Sequence, residues 1–249
     1  MIVFITGASA GFGAAMARSF VQAGHHVIAS ARRKDKLNAL AAELGERLLP
    51  IELDVNDQAA VAALPTQLPA AFAQVDVLIN NAGLALGLEP AQRADIDQWH
   101  TMIDTNCKGL VNMTRALLPG MVERKRGHIF NLGSVAGNWP YQGGNVYGAT
   151  KAFVQQFSRN LRADLLGTPV RVTNVEPGMC GGTEFSNVRF GDDERAAKVY
   201  EGVQFLTPED IASTVLWIAQ SPAHMNINAI EIMPVQQSFG GLAIHRGSF

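Results

Sequence analysis

Charge of one sign is scarce in this chain: 20 Lys and Arg face 22 Asp and Glu, a formal net charge of −2. Without a basic stripe it is no candidate for a nucleic-acid partner. The two short basic runs are Arg32-Arg33-Lys34 and Arg124-Lys125-Arg126, and the second reads as a solvated face. Cysteine is scarcer still. Cys107 and Cys180 form no C-x-x-C pair and have no histidine at ligand spacing. That argues against a disulfide scaffold or a metal centre and leaves two free thiols in a reducing compartment. No apolar run approaches the roughly 20 residues of a membrane span. The apolar Ile2–Ile5 has no basic stretch before it and runs straight into a glycine-rich turn, so it reads as a strand rather than a signal peptide. The expectation is a cytoplasmic protein with no metal, membrane or nucleic-acid partner.

Hydrophobic residues, by contrast, make up 47% of the 249 residues, enough for a large core. They fall into short runs: Ile2–Thr6, His26–Ser30, Leu48–Leu53, Val75–Asn80, His128–Leu132, Val170–Val175 and Ile227–Met233. Near-continuous apolar runs are what strands covered on both faces look like. Helical patterns lie between them at Phe12–Ala23, Asp35–Leu44, Asp57–Ala71, Thr105–Arg124, Val146–Leu166 and Pro208–Gln220. This alternation predicts right-handed crossovers and an α/β fold: a Rossmann-type, doubly wound parallel sheet of about seven strands with helices on both faces. No repeat or linker divides the chain, so 1–249 reads as a single domain. The irregular stretch Gly178–Phe205 is long enough to be a lid.

Thr6-Gly7-Ala8-Ser9-Ala10-Gly11-Phe12-Gly13 follows the first strand and opens the first helix. Glycines there permit a tight turn and let a pyrophosphate approach the backbone at a helix N-terminus. The spacing is G-x-x-x-G-x-G. At the end of the second strand an acidic residue would favour NAD, and an arginine favours the 2′-phosphate of NADP. The residues there are Ser30-Ala31-Arg32-Arg33, with no acid. Tyr147 and Lys151 are four apart in a helical stretch, on one face. A nearby ammonium favours the phenolate, so the pair predicts a tyrosine pKa lowered from its usual 10 or so. Ser134 ends the fifth strand, where open α/β sheets place their ligands. Taken alone it is a serine starting a turn.

These motifs, with Asn80-Asn81-Ala82-Gly83, Thr105-Asn106, Tyr147-Gly148-Ala149-Thr150-Lys151 and Pro177-Gly178, resemble the short-chain dehydrogenase/reductase family in order and spacing over essentially the whole chain. The resemblance implies a catalytic set of Asn106, Ser134, Tyr147 and Lys151. It implies an NADP site formed by Gly7, Ser9, Ala10, Gly11, Phe12, Gly13, Arg32, Arg33, Asp54, Val55, Asn81, Ala82, Gly83, Tyr147, Lys151, Pro177 and Gly178. In that scheme the Asn106 carbonyl holds a proton-relay water. The family's tetramers predict a homotetramer here.

Three segments carry a closer likeness: Asn138–Tyr147, Gly181–Phe190 and Met233-Pro234-Val235. They resemble a branch acting on short 3-hydroxy acids: serine, L-allo-threonine, and 3-hydroxypropionate with its malonic semialdehyde. A neighbouring branch reduces sulfoacetaldehyde to isethionate. A regulator that senses NADP without chemistry is the alternative of another class; such proteins lose the Tyr or the Lys, and both are here. A small anion entering a dry cleft needs a cation. Arg162 and Arg171 read as facing solvent, which leaves Arg189 within 178–205, binding substrate with Ser134 and Tyr147. Arg246 in the tail is the second candidate. The plain alternative for Arg189 is a solvated residue paired with Asp192, Asp193 or Glu194.

Overall fold

The computed structural model describes residues 1–240, apart from the side chain of Arg195. Seven parallel strands run in the order β3-β2-β1-β4-β5-β6-β7. They are β1 (Ile2–Thr6), β2 (His26–Ala31), β3 (Leu48–Glu52), β4 (Val77–Asn80), β5 (Gly127–Leu132), β6 (Val170–Pro177) and β7 (Ala229–Ile232). The helices are α1 (Gly11–Gln22), α2 (Lys34–Leu44), α3 (Gln58–Gln67), α4 (Ile96–Ile103), α5 (Leu110–Glu123), α6 (Asn145–Asp164), α7 (Phe185–Phe190), α8 (Asp193–Lys198) and α9 (Pro208–Ala219).

Alternation along each strand divides the core between the two faces. Val3 and Ile5 of β1, Ile79 of β4 and Phe130 of β5 pack with Met16 and Phe20 of α1 and Ile211, Val215 and Ile218 of α9. Phe4, Leu78 and Ile129 point the other way, onto Val61 and Leu64 of α3, Met113 and Leu117 of α5 and Leu161 of α6. Burying apolar area at roughly 25 cal/mol per Å² drives both layers. Because both faces are covered, the central strands are mostly apolar, with buried polar residues such as Asn80 of β4 and His128 and Asn131 of β5 among them. Among the described residues no helix is long and apolar enough to cross a membrane.

Some boundaries differ from the sequence reading. The helix expected to begin at Thr105 begins earlier, at Ile96, where the Asp95 carboxylate accepts from the Asp97 N–H at 2.9 Å. It then passes through a π-helical turn, Asp104–Gly109, before continuing as α5. Asn106 therefore sits inside a continuous helical stretch and not at a helix start. The segment 178–205 contains two six-residue helices, α7 and α8. Arg171 does not face solvent: it donates to the Ala219 carbonyl at 2.9 Å and to Ser221, satisfying orphan carbonyls after α9. The second basic run is a solvated face as expected, with Lys125 and Arg126 exposed, although Arg124 donates to the Val75 carbonyl at 2.8 Å and Arg126 pairs with Asp76.

Candidate active site

Sheet order reverses between β1 and β4, and at such a switch point the carboxyl ends of parallel strands leave a crevice. Here it is a cavity of about 900 Å³. Its wall takes in Gly7, Ser9, Ala10, Gly11, Phe12, Arg32, Arg33, Asp54, Val55, Asn81, Ala82, Gly83, Ser134, Tyr147, Lys151, Pro177, Gly178 and Arg189. Gly13 and Asn106 do not line it. A Cβ on Gly13 would lie 2.4 Å from the Gly7 carbonyl oxygen, so this glycine lets α1 pack under the turn. Arg246 lies outside the described residues.

At one end the glycine-rich turn is fastened to β4 by Thr6. Its hydroxyl accepts from the backbone N–H of Asn81 at 3.0 Å and of Ala82 at 2.9 Å. The Asn81 amide donates back to the Thr6 carbonyl at 2.8 Å. Gly7 has φ +67°, and a Cβ there would meet Ala82 Cα at 2.9 Å, so only glycine closes the turn. Next to the turn, the Arg33 guanidinium donates to Ser9 Oγ at 2.9 and 3.1 Å. Arg32 beside it is exposed. The Asp54 carboxylate accepts from the Asn56 N–H at 2.9 Å, so it forms a local turn as well as lining the cavity.

At the other end Tyr147 and Lys151 project from α6, both buried. Lys151 Nζ donates to the Leu132 carbonyl at 2.7 Å. It also lies 5.8 Å from the Tyr147 ring centre. The expected lowering of the tyrosine pKa is not found. Burial pushes the phenol up to about 12; the Ser134 hydroxyl, as a hydrogen-bond partner, and the Arg189 guanidinium pull it only part of the way back. The same burial brings Lys151 down to about 8. Desolvation outweighs the charge in both groups. Ser134 Oγ accepts from the Ala136 N–H at 3.1 Å, so it starts a turn and faces the phenol at once. Asn106 is buried. Its amide donates to the Leu84 carbonyl at 2.9 Å and Thr150 Oγ1 at 3.0 Å and accepts from the Leu84 N–H at 2.9 Å, tying the loop after β4 to α6.

Arg189 comes over the site from α7. Its guanidinium carbon is 5.5 Å from the Tyr147 ring centre and 5.4 Å from that of Tyr141. It donates to Tyr141 Oη at 2.8 Å and to the Gly87 carbonyl at 3.2 Å. Asn187, not Arg189, donates to Asp193. Phe185 packs against Tyr147, ring centres 5.8 Å apart. Both thiols are inert at neutral pH, since burial raises Cys107 to about 11 and Cys180 to about 12. Thr6, Tyr141, Thr150, Glu184 and Phe185 were not singled out from sequence. All five lie within the motifs or segments of likeness, Thr6 directly before the first glycine and Thr150 between Tyr147 and Lys151, but none was given a role. Their roles depend on contacts between distant segments.

A glycine turn at the switch point, with a buried Tyr-Lys pair and a serine beside it, defines a dinucleotide-dependent dehydrogenase site. Residues 1–193 match the family model described as short chain dehydrogenase, and the chain belongs to that family. It is 64% identical over 247 residues to the NADP-dependent 3-hydroxy acid dehydrogenase YdfG of Salmonella typhi, covering 99% of this chain and 100% of that one. It is 51% identical to the serine 3-dehydrogenase of Agrobacterium fabrum, covering 99% of this chain and 98% of that one. Among solved structures, the closed form of serine dehydrogenase complexed with NADP+ superposes with a TM-score of 0.98 at 60% identity, over 99% of this chain and 100% of that one.

Proposed function

We propose that this dehydrogenase moves a hydride between NADP(H) and a small 3-hydroxy acid or its oxo form: serine, L-allo-threonine, or 3-hydroxypropionate and malonic semialdehyde. The observation that carries the substrate class is the Arg189 guanidinium 5.5 Å from the Tyr147 ring, a cation beside a phenol. A planar guanidinium can hold a carboxylate through two parallel N–H bonds. The names of the relatives, a 3-hydroxy acid dehydrogenase and a serine dehydrogenase, support the same class.

The residues fit the cofactor. The turn at Gly7 and Gly11 has positive φ, leaving backbone and no side chain where the pyrophosphate rests. Arg33, held against Ser9, and Arg32 offer charge-assisted bonds to a 2′-phosphate, and Ala31 puts no carboxylate against it. Asp54 and Val55 would hold the adenine end, while Asn81, Ala82, Gly83, Pro177 and Gly178, which line the same cavity, would hold the remainder of the dinucleotide. When bound, NADP(H) supplies or accepts the hydride at the substrate carbon.

The chain's own residues handle the proton and the oxygen. In reduction, Tyr147 gives its hydroxyl proton to the carbonyl oxygen as the C–H bond forms, and Ser134 holds that oxygen by a hydrogen bond. The phenolate left behind regains a proton through the Lys151 side, where the Asn106 turn and Leu132 carbonyl fix the approach. Oxidation runs the same steps backwards. Arg189 fixes the carboxylate, and the segment 178–205 acts as the lid that keeps water out. The fold assembles as a symmetric tetramer.

The direct test is NADP(H)-coupled turnover on a panel of serine, L-allo-threonine, 3-hydroxypropionate, malonic semialdehyde, sulfoacetaldehyde and neutral aldehydes. Highest kcat/KM on the carboxylates is expected. A higher value on sulfoacetaldehyde would replace the carboxylate reading with the sulfonate one. Preference for neutral aldehydes would overturn both.

A further inference from the structure

Between Thr183 and Arg189 the chain crosses the whole cleft, and it is fastened at both ends. A Cβ built on Gly11 would lie 3.3 Å from Thr183 Cγ2, so the strap rests on the glycine turn itself. One residue on, the Glu184 carboxylate reaches the opposite rim. One oxygen pairs with Arg33 Nη1 at 2.8 Å, the other with Lys36 Nζ at 2.6 Å. At the far end Arg189 closes a second fastening: the Gly87 N–H donates to the Arg189 carbonyl at 3.0 Å, and Arg189 Nε donates to the Gly87 carbonyl at 3.2 Å. Between the two fastenings Phe185 packs on Tyr147.

The two fastenings differ in kind. At Gly87 one bond is backbone to backbone and the other runs from the Arg189 side chain to the Gly87 carbonyl, with no ion pair involved. At the adenosine rim everything depends on one carboxylate. Its two cations come from either side of the start of α2, and Lys36 lies 148 positions from Glu184 in sequence. Both cations hold the carboxylate well below its usual range, so it is ionised throughout the neutral region. All three side chains remain partly exposed, so the link is modest in energy and screened by salt.

We propose that Glu184 is a positioning residue for substrate capture: its carboxylate anchors the strap to Arg33 and Lys36, and through the strap sets Phe185 and Arg189 over Tyr147. This rests on the readings of Arg33 at the 2′-phosphate and of Arg189 at the substrate carboxylate. The anchor biases the strap toward its closed position, and substrate binding at Arg189 biases it the same way. Loss of the anchor is therefore made good at saturating substrate and appears in KM rather than kcat.

The test uses the NADP+-loaded enzyme. Glu184→Gln keeps the shape and removes the charge. Expected are a rise of about fivefold in KM for a 3-hydroxy acid, kcat within about twofold, and faster amide hydrogen exchange at 185–190 with the sheet unaltered. Lys36→Met, which leaves Arg33 in place, should move KM and exchange in the same direction. Unchanged exchange at 185–190 in Glu184→Gln would overturn the proposal. So would a loss confined to NADPH relative to NADH with KM for the acid unchanged, because Glu184 would then only orient Arg33. The exchange readout needs no substrate, so it stands apart from the Arg189 reading. Arg33→Ala tests the phosphate reading alone, through the ratio of NADPH to NADH use.

Discussion

The Arg189 guanidinium carbon stands 5.5 Å from the centre of the Tyr147 ring, and its Nη2 donates to Tyr141 Oη at 2.8 Å. A cation is thus parked beside the phenol proposed to handle the proton. Arg189→Met should lower kcat/KM for 3-hydroxy acids by about 10² or more, while a neutral aldehyde of similar size changes by less than about fivefold. The difference is what matters, since a damaged lid would harm both substrates alike. Equal losses would reduce Arg189 to a residue that orders the lid. No loss on the acid would move the carboxylate's partner to Arg246.

Cofactor preference follows from the rim at Arg32 and Arg33. Steady-state rates should favour NADPH over NADH in kcat/KM by at least about 10², roughly 2.7 kcal/mol. Ala31→Asp combined with Arg32→Ala places a carboxylate where the 2′-phosphate sits and should reverse much of that ratio. Equal use of the two cofactors by the unaltered enzyme would contradict the assignment.

Tyr147→Phe removes the proton donor and keeps the ring. Turnover should fall by about 10² or more, with NADPH affinity retained in a fluorescence titration. The pH profile carries the burial effects. With the phenol near 12 and Lys151 near 8, reduction should be level through neutrality and decline above about 8, as Lys151 loses its charge. Oxidation must take the phenol's proton and should rise with pH. A reductive rate that climbs between pH 8 and 10 would be incompatible with this scheme.

His128 sets an acid limit on stability. It is buried in β5, where one ring nitrogen lies 2.8 Å from Thr173 Oγ1 and the other has no partner. Burial, and to a lesser extent Arg171, hold it neutral down to about 2. Unfolded, it takes a proton near 6.5. The folded pKa is the lower one, so its contribution is complete above about 6.5 and is lost as pH falls toward 2. The slope is about 1.4 kcal/mol per pH unit from this one group. Urea denaturation at pH 7 and pH 5 should show His128→Gln losing less stability between the two than the parent does. Identical losses would mean that His128 is not held neutral.

Assembly is the remaining expectation. Phe153 and Phe157 of α6 stack with ring centres 5.8 Å apart, and Phe153, with Ile96 and Ile103 of α4, is exposed. Trp217 of α9 and Met225 are exposed as well. Exposed apolar residues on α6 and α9 suit a tetramer of two-fold symmetry. Sedimentation at micromolar concentration should give four copies, and a monomer alone would refute it. Phe153→Asp should weaken the assembly.

The strands were legible because a strand covered on both faces is near-continuously apolar; in β1, β4 and β5 the apolar run is broken only at Thr6, Asn80, Gly127, His128 and Asn131. Helix α4 was not, although Ile96, Trp99, Met102 and Ile103 recur at helical spacing, because eight residues are too short a window to separate from a loop. Helices α7 and α8, six residues each, are shorter than two full turns and carry no readable amphipathic pattern. Arg171 was misread because a charge in an apolar run looks solvated until the end of α9 is seen to supply it with carbonyls.

By itself the sequence determined the order of elements, the glycine turn, the absence of an acid at Ala31 and the pairing of Tyr147 with Lys151 on one helical face. Each is a matter of neighbours within a few residues, where backbone geometry converts spacing into position. Tertiary structure alone decided that burial raises the Tyr147 phenol, that Arg189 stands over it, and that Glu184 bridges Arg33 and Lys36. Desolvation is the summed effect of every element packed around a group, and charges meet across a cleft only where the whole chain has placed both rims.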